Sequence, residues 1–256
     1  MIITGYLDEG HTHGASPITV VGGAMASARQ WQAFQRAYMP IKRRYEFEVF
    51  HATDFKGKTG EFKGWKTEKY LALIEDLYEL TKDAFMESVV AVLDNAAYES
   101  EYRLGQSPKR LRLDSKYGMC VHNCIMHFVV EAARRKHRGR LPTLHCVLES
   151  GHKNAGDALR IFKEMKRDLK GSEYDVLGEI TFAAKRDCDP LMPGDFLAHM
   201  QGVRDIRERE GKPITEDEGP PPGRRERLTV MRYQPGALAK LKRELIEGHL
   251  TRRTKL

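Results

Sequence analysis

The sequence predicts an α/β fold: a mixed sheet with helices on both faces and a charged, proline-rich loop before the C-terminal helix. Three observations lead there. Ile- and Val-rich runs open the chain as a meander, and later apolar runs alternate with segments of helical period. The 256 residues are 41% hydrophobic and 9% aromatic, enough for a core that folds unaided.

Residues 1–7 and 17–25 read as antiparallel strands joined by "DEGHTHGAS", whose glycines permit a sharp turn. A helix follows from Ser27, a suitable N-cap, to about Tyr38, with Pro40 near its stop. "EFEVFHATDF" alternates like a strand, and "KTEKYLALIEDLYELTKDA" has helix spacing at Tyr70, Leu73, Ile74, Leu77 and Leu80. "FMESVVAVLD" is a strand ending at Asp94, and "YGMCVHNCIMHFVVEAARRKH" is a long helix. "PTLHCVLESGH" is a strand ending in acid, glycine and histidine, followed by the helix "NAGDALRIFKEMKRDL" and the strand "YDVLGEITFAAK". "PLMPGDFLAHMQGVRDI" opens a helix near Pro193, where proline suits a first turn. From about 207 to 227, dense charge and three consecutive prolines predict a flexible excursion. The last helix runs from about Pro235 to Leu250, with a basic tail. A single domain over 1–256 is the simplest account.

The net charge of +7 favours an anionic partner, nucleic acid being the commonest. The opening residues do not read as a signal peptide, and no apolar run approaches the roughly 20 residues that span a bilayer. A cytoplasmic protein with no membrane partner is expected. Cys120, Cys124, Cys146 and Cys188 lack a second close Cys or His pair for zinc and read as thiols of a reducing compartment. Phosphate-cradling Gly-Lys loops and Gly-x-Ser-x-Gly elbows do not occur, which leaves nucleotide-driven motors and serine hydrolases unsupported.

Acids stand at or just after strand ends: Asp8, Asp94 and Glu149. Asp195 lies in the first turn of the helix after the last strand. Strand ends are where α/β folds place ligand sites. Asp94, before Asn95, reads best as a helix cap. Asp8, Glu149 and Asp195 would converge if their elements are neighbours, and converging carboxylates repel unless a cation sits among them. All-oxygen ligation suits Mg2+ or Mn2+, and two such ions about 3.5–4 Å apart can hold a phosphodiester and activate water.

At these residues the chain resembles the domain-of-unknown-function 3800 family. "GYLDEGHTHG" resembles its Asp-Glu-Ser-Gly signature, and "EVFHATDF" its segment in which a strand ends in His with a nearby Asp. "LHCVLESGH" is similar to its later strand ending in acid and glycine, and "AAKRDCDPLMPGDFLAHM" to its final helix start, which supplies an Asp. The resemblance implies a ribonuclease-H-like fold, a metal site at Asp8, Glu149 and Asp195, and a nuclease-like, two-metal activity. Gly10 replaces the family's Ser, and Gly194 stands where Ala is expected.

Around these acids, Glu9 and His11 read as supporting or substrate-contacting groups. His11 and His13 would share one side of an extended segment, but the chain has too few strand-helix units for a zinc amidohydrolase barrel. His51 and Asp54 either line the cleft or stabilise a turn. His152 follows Glu149 by three residues. His199, four after Asp195, shares its helix face and is either the histidine close to the metals or a partly buried helix histidine. Lys116, Lys185 and Arg186, near motif ends, either meet backbone phosphates or only solvate the surface. The reading is a divalent-metal-dependent nuclease or phosphodiesterase acting on nucleic acid, with Asp8, Glu149 and Asp195 as metal-binding catalytic acids. The alternative is a nucleic-acid- or protein-binding module that keeps the fold without catalysis.

Overall fold

The structure, a computed structural model, describes residues 1–11, 16–82, 84–105, 108, 111–213, 215, 228–234 and 236–253, except for the side chains of 248–253. His13 lies outside the described residues.

Strands β1 (Ile2–Gly10), β2 (Ile18–Ser27) and β3 (Glu87–Asp94) form an antiparallel meander. β4 (Thr143–Glu149) adds parallel to β1, and β5 (Leu177–Ala183) parallel to β4. β6 (Leu228–Arg232) adds parallel to β3 at the far edge. The six-stranded order β5-β4-β1-β2-β3-β6 is the expected mixed sheet, with β1 flanked by antiparallel β2 and parallel β4. β1, β3, β4, β5 and β6 all run the same way, so Gly10, Asp94, Glu149, Ala183 and Arg232 finish at one edge.

Alternation along β1 separates two cores. Ile3 and Leu7 join a cluster with α5 (Lys116–Ala133), α6 (Ala155–Leu169) and Leu238 of α8 (Ala237–Arg253). Tyr6 instead packs edge-on against Trp31 of α1 (Ala28–Tyr45). That opposite face carries α1, α3 (Thr67–Lys82) and α7 (Met192–Arg209), around a cluster rich in Phe and Tyr. Trp31 also donates from Nε1 to the Thr4 carbonyl, 2.9 Å away, pinning α1 to β1. The short α4 (Asn95–Ala97) is capped by Asp94, which accepts from the Ala97 amide at 2.8 Å, the capping role expected of it.

Several local expectations are corrected. α1 does not stop near Pro40 but continues to Tyr45. Pro40 and Arg36 are both exposed, so the carbonyl that proline leaves without a donor faces water. Buried Tyr45, below the proline, extends the apolar stripe set by Trp31, Phe34 and Tyr38. Residues 46–51 are not a strand: they form a turn into α2 (Ala52–Gly57). Phe47, Phe50 and Phe55 drop into the aromatic core, while Glu61 accepts from the amides of Glu48 and Val49. At the expected start of the excursion, Arg207–Arg209 instead complete α7, and Arg209 pairs with Asp94. Residues 214 and 216–227 lie outside the described residues. β6 has no counterpart among the expected strands. Its Arg232 pairs with the buried Asp205 of α7 at 2.8 Å.

Candidate active site

β1 and β4 pair in parallel up to Leu7 and Leu148, so the next residues, Asp8 and Glu149, emerge side by side at the sheet edge. Asp8 is 2% exposed. Across β2 it stands opposite Gly22. There the first turn of α7 lies on the sheet at backbone contact. A Cβ on Gly22 would come within 2.6 Å of the Gly194 carbonyl oxygen and 2.8 Å of the Ala198 nitrogen. A Cβ on Gly194 would meet the Gly22 oxygen at 2.9 Å and the Asp8 nitrogen at 3.0 Å. This glycine pair lets α7 deliver Asp195, 3% exposed, to Asp8. It also accounts for a residue without a Cβ at position 194.

The three acids meet at one atom. Lys185 Nζ lies 2.9 Å from Asp8 Oδ2, 2.9 Å from Asp195 Oδ2 and 3.5 Å from Glu149 Oε2. Lys185 sits in a 3-10 turn, Lys185–Asp187, just beyond the end of β5, and is 9% exposed. Asp195 Oδ2 also accepts from the Ala52 amide at 2.8 Å, so the turn before α2 braces the site with its backbone. Asp8 Oδ1 accepts from the Glu9 amide at 2.8 Å. Alternation turns the Glu9 side chain toward the α5 side, where its Oε2 is buried without a hydrogen bond. Oxygens of Asp8, Glu9 and Glu149 nevertheless lie within 4.8 Å of one another.

Crowded acids in a dry place resist ionisation. Burial first, then the Asp195 charge, pushes the Asp8 carboxyl well above the usual range, with Lys185 opposing. Burial and Glu149 push Glu9 up to about 7. Burial disfavours the Lys185 ammonium, but Asp195, Asp8 and Glu149 outweigh it and hold the group charged above its ordinary pKa. With four acids and one lysine, the cluster keeps an excess of potential negative charge. Its donors are all oxygen, and Glu9 Oε2 is buried without a partner. The residues therefore fit a hard divalent cation such as Mg2+ or Mn2+.

The supporting residues separate. His11, at positive φ of 56°, stacks on His199 with ring centroids 5.5 Å apart, and its Nε2 lies 3.4 Å from the His199 carbonyl oxygen. His51 is exposed at the entry to α2. Asp54 accepts from Thr59 Oγ1 at 2.8 Å, which is the turn-stabilising alternative of its two readings. His152 stacks on Tyr117, centroids 3.9 Å apart, and accepts from the Asn154 amide at Nδ1. Tyr117 and His152 line a cleft of about 450 Å³ that Arg103, Arg112, Lys116 and Lys153 also border. Burial, then Glu9, Asp8 and Glu149, raises the Tyr117 phenol above its ordinary pKa. Lys185, expected to meet backbone phosphates, is instead committed to the acids, a role the sequence does not disclose.

His199 is buried, with Nε2 lacking a hydrogen bond. Burial, then His11, Lys56 and His51, lowers its pKa to about 3 from an ordinary 6.5. It is neutral near pH 7 and no reservoir of protons there. Between those two values the unfolded chain binds the proton that the folded chain refuses, so acidification favours unfolding. This group alone is expected to make the folded state progressively less stable as the pH falls from 6.5 toward 4. His199→Gln should therefore narrow the gap between melting temperatures at pH 7.5 and pH 4.5. Parallel native and variant profiles would refute the assignment.

No family model and no curated protein matches the chain. Among solved structures it is similar to the ribonuclease H2 from Pyrococcus horikoshii OT3, with TM-score 0.41 and 13% identity over 87% of this chain and 83% of that one. It is also similar to a chain of the PCNA:RNase HII complex from Archaeoglobus fulgidus, with TM-score 0.40 and 12% identity over 96% of this chain and 90% of the other. Among the described residues no helix is long and apolar enough to cross a membrane.

Proposed function

We propose that the protein is a divalent-metal-dependent nuclease or phosphodiesterase acting on nucleic acid, and a member of the domain-of-unknown-function 3800 family that its motifs resemble. The observation that carries this reading is the convergence of Asp8, Glu149 and Asp195, from three distant parts of the chain, on a single point at the sheet edge. Asp8, Glu9 and Glu149 would hold the ion, and Asp195 closes the pocket from α7. A bound ion would polarise a phosphoryl oxygen and lower the pKa of its water. The carboxylates orient what enters, and the walls of α7 and β2 exclude bulk solvent. The test is cleavage of single-stranded, duplex and hybrid nucleic acids with Mg2+ or Mn2+. Activity that disappears with chelator supports the reading, and no cleavage of any of them refutes it.

The cleft beside Tyr117 suits the backbone of the substrate. Lys116 there pairs with Glu99 at 2.8 Å, whereas Arg112 and Lys153 have no acid partner among the ion pairs of the described residues. Phosphate contacts supply affinity without sequence preference and release counterions. Replacing both Arg112 and Lys153 with Ala is expected to weaken binding uniformly across sequences. It should also reduce the slope of log K against log salt by about 2. Binding titrations across a salt series measure this, and an unchanged slope would place the strand elsewhere.

A further inference from the structure

The acid cluster contains two overlapping positions for positive charge, not one. Oxygens of Asp8, Glu9 and Glu149 surround the first. The second lies among Asp8, Glu149 and Asp195, and Lys185 Nζ already fills it at 2.9, 3.5 and 2.9 Å from their oxygens. We propose that Lys185 is a covalently attached counter-cation that permanently takes the place a second divalent ion would need, so that this chain binds one divalent ion where its acids would otherwise hold two. This inference rests on the metal-dependent reading above and replaces its two-ion form.

Three features support it. The ammonium is placed by structure: Lys185 is 9% exposed and projects from a turn anchored where β5 ends, so it is not a surface side chain folded inward by chance. Asp195 spends the same oxygen, Oδ2, on Lys185 and on the Ala52 amide. Two donors already satisfy that oxygen, and a metal bond to it would have to displace one. Asp8 Oδ2 and Glu9 Oε2 are both buried without a hydrogen bond, but Asp8 Oδ2 is ion-paired with Lys185, whereas Glu9 Oε2, on the far side of Asp8 from α7, has no ion pair among the described residues. The oxygen still without a cation therefore lies on the Glu9 side, and the ion-paired ones lie on the Asp195 side. A lysine ammonium carries one charge and three donors, enough to neutralise and orient two carboxylates but not to act as a Lewis acid.

The experiment counts ions. The native protein, freed of metal, is titrated with Mn2+ by calorimetry and followed by electron paramagnetic resonance, alongside Lys185→Met. Methionine keeps an unbranched side chain one atom shorter and removes its charge. The native chain is expected to bind one Mn2+ with the spectrum of an isolated ion. Lys185→Met is expected to bind two, with the exchange-coupled spectrum of neighbouring ions, and to gain more thermal stability from saturating Mn2+ than the native chain does. Two coupled ions in the native chain would overturn the proposal, a result that needs no variant to fold. A variant that still binds only one ion would overturn it as well. If neither protein binds Mn2+, the metal-dependent reading itself fails, and this inference with it.

Discussion

Replacing Asp8 with Asn is expected to lower metal-dependent cleavage by about a thousandfold while leaving the protein folded. The loss follows from chemistry. A carboxylate that bridges Lys185 and the Glu9 amide also belongs to a group of three acids, Asp8, Glu9 and Glu149, whose oxygens lie within 4.8 Å of one another. Stabilising charge in a phosphoryl-transfer transition state is worth several kcal/mol, and about 4 kcal/mol is three factors of ten in rate. The stability half of the expectation has a separate cause. Asp8 is ionised only against burial and against Asp195. A neutral amide of the same shape removes that opposition, at the cost of one contact to Lys185. The melting temperature should therefore hold or rise even as activity disappears, a common pattern where function requires charges that folding disfavours. Equal cleavage by the native protein and the Asp8→Asn variant would remove Asp8 from the chemistry. A collapse in melting temperature would instead make it a structural acid.

Gly22→Ala should give the second large effect, by a different route. One methyl group there meets main-chain atoms, the Gly194 oxygen at 2.6 Å and the Ala198 nitrogen at 2.8 Å, and neither can rotate away. α7 has to lift from β2. Overpacking of this kind costs about 1–3 kcal/mol, which for a chain of this size means several degrees of melting temperature. Asp195 rides on the displaced turn, and a shift of about 1 Å in a reacting group costs on the order of a hundredfold in rate. Gly156→Ala is the control, because nothing lies within 4 Å of a Cβ at that position of α6. The comparison is read by thermal unfolding and by cleavage rate together. If Gly22→Ala behaves like the control, the close approach of helix to sheet is not what positions the site.

Much of this arrangement can be read in the sequence, for physical reasons that also mark where the reading stops. Asp8 and Glu149 each terminate an apolar run, and strand ends share a sheet edge, so only their pairing is left for the structure to add. Asp195 is visible as an acid in a helix first turn, but the glycines that admit that helix are far apart in the chain, and their meeting is a tertiary event. The burial of Lys185 leaves no trace in the sequence, because one lysine among 43 basic residues looks like any other. The segment around His51 resembles a strand because Phe47, Val49 and the surrounding residues alternate. Its phenylalanines follow the shape of an aromatic pocket instead of a pleat. Glu9 reads from the sequence as a supporting or substrate-contacting group, and in the structure alternation sends it to the opposite face from Asp8. Only at the very end of a sheet can side chains from both faces reach around to one another.

The bond from the Ala52 amide to Asp195 has a practical corollary. A single peptide proton rests on the carboxylate, so its resonance frequency registers the electron density there. Any change at the pocket, whether an ion entering, a phosphate docking or an ammonium leaving, will be reported by one isotope-labelled alanine. The molecule thus carries its own gauge, legible in solution and without a substrate.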